Sequence, residues 1–177
     1  MDNSKKILKQ LENEYSGGPF LNAKNPFEVL VSTILSAQCT DKRVNKVTKV
    51  LFKKYKTPQD FANVSQNELE KYIYSTGFYR SKAKSIISSA KKILTEYDGK
   101  VPNEMNELLK LRGVARKTAN IVLSSGFNKH EGIAVDTHVK RVSHRIGLTE
   151  HKNPVKIEQD LMKIYPKSKW QEVSWLL

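Results

Sequence analysis

Apolar residues recur at steps of three and four through most of the chain, and this spacing constrains its fold more than any other feature. Such steps place side chains on one face of an α-helix, whereas a strand with one buried face alternates at every second residue. No segment combines strict alternation with the turn residues of a hairpin. The sequence therefore predicts an all-α protein.

Typical start residues mark several of the predicted helices. Pro26 suits the first turn of an apolar core helix, and Ser65 with Glu68 forms the pattern of a capping box. A long helix is predicted over residues 81–97. Asp136 is placed to be the N-cap of a later helix.

The chain is strongly basic, with 31 Lys and Arg against 18 Asp and Glu, a net charge of +13 and a pI near 9.7. Such a surplus favours a polyanionic partner, although a proteome that fills exposed positions with lysine would also produce it. Four of the six arginines lie between residues 112 and 145. This clustering directs attention to that region as a binding site.

Three observations limit the class of protein. The longest apolar runs fall far short of the roughly 20 residues that a bilayer span requires. The N-terminal segment combines lysines with glutamates, which fits neither a signal peptide nor a transit peptide. We therefore expect a cytoplasmic protein with no targeting signal and no membrane contact. The single Cys39 excludes an internal disulfide and an all-cysteine metal site within this chain, and a buried thiol is expected there.

Residues 111–115, Leu-Arg-Gly-Val-Ala, lie between two short predicted helices. Gly113 permits a sharp turn, and its small neighbours would let backbone N–H groups approach a phosphate at the start of the second helix. The pattern thus indicates an anchor for the DNA backbone. A glycine between helices is common in helical proteins, so the turn alone also has a purely structural interpretation.

Lys117 follows in the first turn of the second helix, beside Arg116. The positive end of the helix dipole and the neighbouring cation both disfavour a protonated amine, which favours a role for Lys117 as a nucleophile. An ordinary solvated or phosphate-binding lysine is the alternative. Asp136 and His138 lie at another helix start, where capping and packing would suffice to explain them.

Four segments together resemble the endonuclease III branch of the helix-hairpin-helix DNA glycosylases. They occur in the same order and at similar spacing, and the resemblance extends from about residue 26 to residue 177. The segments are residues 35–41 (LSAQCTD), 77–83 (GFYRSKA), 111–120 (LRGVARKTAN) and 133–138 (IAVDTH). Four collinear motifs make the resemblance specific.

The resemblance implies a two-lobed helical fold with a DNA cleft between the lobes. A six-helix barrel over residues 19–129 would end with the hairpin, and residues 1–18 with 130–177 would form the second lobe. It also implies a base excision repair enzyme that removes oxidised pyrimidines. In this family a lysine, matched by Lys117, attacks the sugar C1′ and cleaves the abasic site by β-elimination. An essential aspartate, matched by Asp136, stabilises positive charge on the sugar.

The resemblance further assigns DNA contacts. Gln38 and Phe78 match the positions that fill the gap left by an extruded nucleotide and wedge the duplex. From their residue types alone, a helix cap at Gln38 and a core aromatic at Phe78 are alternatives. The remaining expected DNA contacts are Arg112, Gly113, Val114, Ala115, Arg116 and His138.

Two positions depart from the family's hairpin pattern. Arg112 stands where the family commonly has proline, and Ala115 stands where it commonly has glycine. If Ala115 must adopt a positive φ, strain of about 1 kcal/mol is expected. Arg112 would offset this strain by contacting phosphate.

The resemblance also bears on cofactors and partners. Many relatives carry four C-terminal cysteines that hold a 4Fe-4S cluster, in a segment that would begin beyond residue 177. We therefore expect a truncated chain with no cofactor or metal site of its own, although a monovalent cation at the hairpin carbonyls fits the family. The expected partner is double-stranded DNA with damaged bases or abasic sites, bound by a monomer in a prokaryotic nucleoid. A non-catalytic DNA-binding module and a glycosylase for mismatched bases or oxidised guanine are alternatives.

Overall fold

The structure is a computed structural model that describes residues 3–15, 17–18 and 20–177. These residues form helices and connecting segments, with no strand among them, so the prediction of an all-α protein is confirmed. None of the helices in the described part of the chain is long and apolar enough to cross a membrane. The α-helices are α1 (Asn3–Glu14), α2 (Pro26–Ser36), α3 (Asp41–Lys54), α4 (Pro58–Asn63), α5 (Gln66–Ile73), α6 (Tyr79–Glu96), α7 (Met105–Leu108), α8 (Arg116–Ile121), α9 (Thr137–Arg145), α10 (Pro154–Ile164) and α11 (Trp170–Leu176).

The chain divides into two compact units, one formed by residues 20–128 and the other by residues 1–19 with 129–177. The larger unit contains α2 to α8, and its core is centred on aromatic and aliphatic side chains such as Phe61 and Leu30, both fully buried. The rings of Phe27 and Phe61 lie 5.3 Å apart, edge to face. The smaller unit has a core of its own, which includes Ile133, Ile157 and Val173.

Side-chain caps fix where several helices begin. The Asn25 side chain accepts a hydrogen bond of 2.9 Å from the Glu28 N–H, and Pro26 occupies the first turn as predicted. At α4 the capping box is complete, because the Thr57 hydroxyl accepts from the Asp60 N–H and the Asp60 carboxylate accepts from the Thr57 N–H. These contacts satisfy N–H groups that have no partner within the helix.

The capping box predicted at Ser65 and Glu68 forms only in part. The Ser65 hydroxyl accepts from the Glu68 N–H at 3.3 Å, as expected. The Glu68 carboxylate instead accepts hydrogen bonds of 2.6 Å from Lys54 Nζ and from the Tyr55 hydroxyl, both on or next to α3. A charged partner makes a stronger hydrogen bond than a backbone N–H does, so a contact between helices replaces the local one.

Left-handed residues lie at both ends of α6, the helix that was predicted over residues 81–97. It begins after Phe78 at φ 47° and ends before Asp98 at φ 50° and Gly99 at φ 74°. The Gly99 N–H donates to the Ile93 carbonyl at 3.0 Å, which closes the last turn. The buried face of this helix carries Lys82, Ala83, Ser85, Ile86, Ser89, Ala90 and Ile93.

Replacing Asp60 with alanine should lower the free energy of unfolding by about 1 kcal/mol at neutral pH, because α4 loses half of its capping box. Hydrogen bonds from the Lys56 and Thr57 N–H groups lower the pKa of Asp60 below its ordinary value of 3.8. The stabilisation is therefore present above about pH 4 and is lost as the pH falls through the lowered folded-state pKa. Denaturant titrations from pH 7 to pH 2 would measure this.

The exposed neighbour Gln59, also on α4, provides the matched control. A Gln59→Ala variant should differ little from the wild type at every pH. If the cost of Asp60→Ala were independent of pH, the carboxylate would not be the stabilising group.

Candidate active site

A tight turn joins α7 to α8 and presents the predicted DNA anchor. Leu111 and Val114 are buried, whereas Arg112 and Gly113 between them are exposed. The Leu111 N–H donates to the Leu108 carbonyl at 3.0 Å, and the Val114 N–H donates to the Leu111 carbonyl at 3.2 Å. The two apolar side chains thus fix the turn to the core and hold its tip outward.

Gly113 is required by both its backbone conformation and its surroundings. Its φ is +80°, a value that side-chain-bearing residues rarely adopt. A Cβ at this position would lie 2.9 Å from both Cβ and Oγ of Ser85 on α6. Ser89, one turn further along α6, donates from its hydroxyl to the Arg112 carbonyl at 3.0 Å. The turn therefore lies directly against α6.

Ala115 adopts an extended conformation, with φ −96° and ψ 173°, at the N-cap of α8. The positive φ on which the expected strain depended is therefore not present at this residue. The positive φ of the turn falls two residues earlier, at Gly113. Because Ala115 does not need a glycine's conformational freedom, this departure from the family pattern leaves the turn intact.

Lys117 is the second residue of α8, and its side chain is exposed, whereas the preceding Arg116 is half-buried. The N-cap Ala115 has no side-chain oxygen, and no side chain caps the start of α8. The helix continues into a π-helical turn over Val122–Gly126. Lys117 is thus presented at the start of a helix, four residues after Gly113.

Gln38 and Phe78, the two expected void-filling residues, share an unusual geometry. Both are exposed and both have left-handed backbones, with φ 53° and 47°. Phe78 exposes 68% of its surface, so it is not a core aromatic. A left-handed backbone costs a residue with a side chain free energy, and such strain concentrates at functional sites. The alternative of a packed Phe78 is thereby excluded.

Lys82, in the first turn of α6, was not singled out by the sequence pattern. Its side chain is 5% exposed, and Nζ donates to the Leu35 carbonyl at 2.8 Å and to the Thr76 carbonyl at 2.7 Å. Burial lowers the pKa of Lys82, and the nearby Cys39 sulfur opposes that shift. The Cys39 side chain is half-buried, which corrects the expectation of a fully buried thiol.

Asp136 and His138 belong to the smaller unit, at the start of α9. Asp136 Oδ1 accepts from the His138 N–H at 2.7 Å and from the Val139 N–H at 2.9 Å, so the predicted N-cap is confirmed. The Asp136 side chain is half-buried. The exposed His138 ring places Nδ1 3.0 Å from an Arg141 guanidinium nitrogen, a geometry in which the arginine donates.

The described residues contain no group of three or more His, Cys, Asp or Glu side chains that would hold a metal ion. The four-cysteine cluster of the resembling family needs four thiolates. The chain has one cysteine, Cys39, so its residues do not fit that group.

Comparison with known proteins gives consistent matches. Residues 31–167 match a family described as HhH-GPD superfamily base excision DNA repair protein. Endonuclease III of Synechocystis sp. is 51% identical over 169 residues, which cover 95% of this chain and 77% of that protein. Endonuclease III of Bacillus subtilis is 52% identical over 147 residues, which cover 82% of this chain and 67% of that protein.

The structural match is equally extensive. A solved structure of a non-covalent Endonuclease III–DNA complex matches with a TM-score of 0.93 at 44% identity. The match covers 99% of this chain and 84% of that chain. The similarity therefore holds for the fold as well as for the sequence.

Substituting Gly113 with alanine should destabilise the protein by more than the backbone term alone. A positive φ costs about 1–2 kcal/mol, and the clash with Ser85 adds about 1–3 kcal/mol. Gly147 has a similar φ of +74° but open space around its Cβ position, so Gly147→Ala isolates the backbone cost. Thermal and denaturant unfolding would measure both, and equal losses would contradict the close approach of the turn to α6.

The strain at Phe78 can be measured by comparing two substitutions. Glycine is ordinarily about 1 kcal/mol worse than alanine in a helix. At a left-handed residue the order should reverse, so Phe78→Gly is expected to be about 1 kcal/mol more stable than Phe78→Ala. The exposed Ser81 of α6 provides the control, where the alanine variant should be the more stable one. The same order at both positions would contradict the assigned backbone conformation.

Proposed function

Because the chain belongs to the HhH-GPD superfamily of base excision DNA repair proteins, we propose that it is a DNA glycosylase that also cleaves the abasic site it creates. The observation that carries this proposal is the position of Lys117. It is an exposed amine in the first turn of α8, directly after a turn with a backbone suited to approach phosphate. A glycosylase without lyase activity has no need of a nucleophilic amine.

In the proposed reaction the Lys117 amine, in its unprotonated form, attacks C1′ of the damaged nucleotide. The C1′–N glycosidic bond breaks, and the base leaves with the bonding electrons and takes up a proton. The nitrogen then loses one proton, the C1′–O4′ bond breaks and O4′ takes up a proton, which leaves a protonated Schiff base between Nζ and C1′. Removal of a proton from C2′ then expels the 3′ phosphate by β-elimination, and water releases the enzyme.

Asp136 is proposed to act as an anion in the same reaction. Positive charge develops on the sugar as the base departs, and a carboxylate stabilises such charge most where water is excluded. The two backbone N–H groups that donate to Oδ1 orient the carboxyl group. The structural role as N-cap and the chemical role are therefore compatible.

Duplex DNA is the proposed partner. The turn at residues 112–115, with Arg112 and Arg116, would bind the phosphate backbone, and the net charge of +13 favours such a polyanion. Two solved Endonuclease III structures that resemble this chain are DNA complexes, one of them a trapped covalent intermediate. Gln38 and Phe78 would fill the gap left by the extruded nucleotide, where stacking of one base on an aromatic ring contributes about 1–3 kcal/mol.

We further propose oxidised pyrimidines as the substrate class, bound by a monomeric enzyme. This chain has one cysteine and does not itself supply the four thiolates that a 4Fe-4S cluster needs. A monovalent cation at the hairpin carbonyls and a DNA contact by His138 complete the proposed interface.

Borohydride reduction during incubation with an abasic-site duplex should trap a covalent adduct with the wild-type protein. The hydride reduces the Schiff base to a stable amine, so the adduct survives denaturing electrophoresis. The Lys117→Gln variant should give less than about a hundredth of that adduct, because the covalent step depends on a single nucleophile.

Lys91, an exposed lysine on α6, is the matched control, and Lys91→Gln should give as much adduct as the wild type. Salt-sensitive duplex binding without adduct or nicking would instead indicate a non-catalytic binding module.

A panel of lesion-bearing duplexes would test the proposed substrate class. Preference for mismatched bases or oxidised guanine would overturn the assignment to oxidised pyrimidines.

A further inference from the structure

Lys82 contacts two segments of the candidate site. One is the Gln38 loop, which follows α2, and the other is the Phe78 loop, which precedes α6. Its buried Nζ donates to the carbonyl of Leu35, 47 residues away in the chain, and to that of Thr76, six residues away. The Lys82 backbone N–H also donates to the Phe78 carbonyl at 3.0 Å. One residue of α6 therefore binds the backbone of both segments.

Both carbonyls belong to helix ends that lead directly into the strained residues. Leu35 is in the last turn of α2, three residues before Gln38. Thr76 ends the 3₁₀ turn Tyr74–Thr76, two residues before Phe78. Carbonyls at helix ends lack partners within the helix, and the negative end of the helix dipole favours a cation there. The Lys82 ammonium satisfies both ends together.

A long side chain with a hydrogen-bond donor at its end suits this position. Lys82 is 5% exposed, and burying a charge is costly unless it is fully hydrogen-bonded. An apolar side chain of similar length would avoid that cost but would leave two buried carbonyls without their donor, at about 1–3 kcal/mol each. Burial of the Lys82 charge lowers stability, and its two hydrogen bonds fix the positions of both loop backbones.

We propose that Lys82 is a positioning residue that holds the Gln38 loop and the Phe78 loop at a fixed separation, so that both side chains enter the DNA together when a nucleotide is extruded. This inference rests on the proposed function. Left-handed residues keep their conformation only where the surroundings hold them, and Lys82 supplies that support on both sides. Without it, the loops would relax independently and fill the gap less well.

Loss of this positioning should matter most for substrates whose damaged base is paired and must be separated from its partner. Extruding a paired base costs a few kcal/mol, and a base without a partner costs less. Loss of Lys82 should therefore slow base removal from a fully paired duplex more than removal of the same lesion placed opposite an abasic-site analogue. A purely structural role would slow both reactions alike.

The experiment measures single-turnover base removal from thymine glycol, opposite either adenine or a tetrahydrofuran abasic analogue. Lys82→Met should lower the rate on the adenine-paired duplex at least about tenfold, as expected when positioning is lost. The rate opposite the analogue should fall less than about threefold. Lys84→Met, at an exposed position of the same helix, should leave both rates unchanged, and Lys82→Arg, which keeps charged donors, should recover part of the paired rate.

The double variant that combines Lys82→Met with Phe78→Ala provides a second test. If Lys82 acts through Phe78, the double variant should lose less on the paired duplex than the product of the two single losses. If Lys82→Met does not fold, Lys82→Gln, which keeps one donor group, is measured on the same two substrates.

Equal losses on the two substrates, or fully multiplicative losses with Phe78→Ala, would overturn the inference. A wild-type protein that acts on neither substrate would contradict the proposed function itself. An active wild type whose Lys82 variants keep the ratio of the two rates would contradict the positioning role alone. The two failures are therefore distinguishable.

Discussion

One polar stripe on α6 holds the candidate site of the larger unit together. Lys82, Ser85 and Ser89 are spaced so that they lie on the same face of the helix, and all three are buried. Lys82 binds the backbones that lead to Gln38 and Phe78, and Ser85 and Ser89 contact the turn before α8. A shift of α6 would therefore move the segments that carry Gln38 and Phe78 together with the turn before α8.

This arrangement explains why the site retains features that cost stability. A buried cation and left-handed backbones at Gln38 and Phe78 each oppose folding. The unit also has an apolar core that includes Leu30 and Phe61, both fully buried. Burial of this core stabilises the unit and offsets the unfavourable free energy of these features. Precise placement of exposed side chains is the physical gain, since gap filling requires groups that project from the protein and yet do not move freely.

Local chemistry made part of this structure predictable from the sequence. The helical pattern gave the fold class, and Asp136 was predicted as an N-cap because its hydrogen bonds reach only the next three residues. Interactions between distant segments were not predictable in this way. Glu68 prefers Lys54 on α3 to its own helix start, and the two acceptors of Lys82 are revealed only by the fold. Lysines within a helical pattern usually face solvent, so the pattern carried no sign of burial.

The identity of the nucleophile is the central chemical question, and one measurement answers it most directly. After borohydride trapping on an abasic duplex, digestion of protein and DNA followed by tandem mass spectrometry locates the reduced sugar remnant on the chain. A remnant on Nζ of Lys117 is the expected result, since this amine is presented at the start of α8, directly after the turn that contains Gly113. A remnant on any other lysine, or on the N-terminal amine, would contradict the assignment.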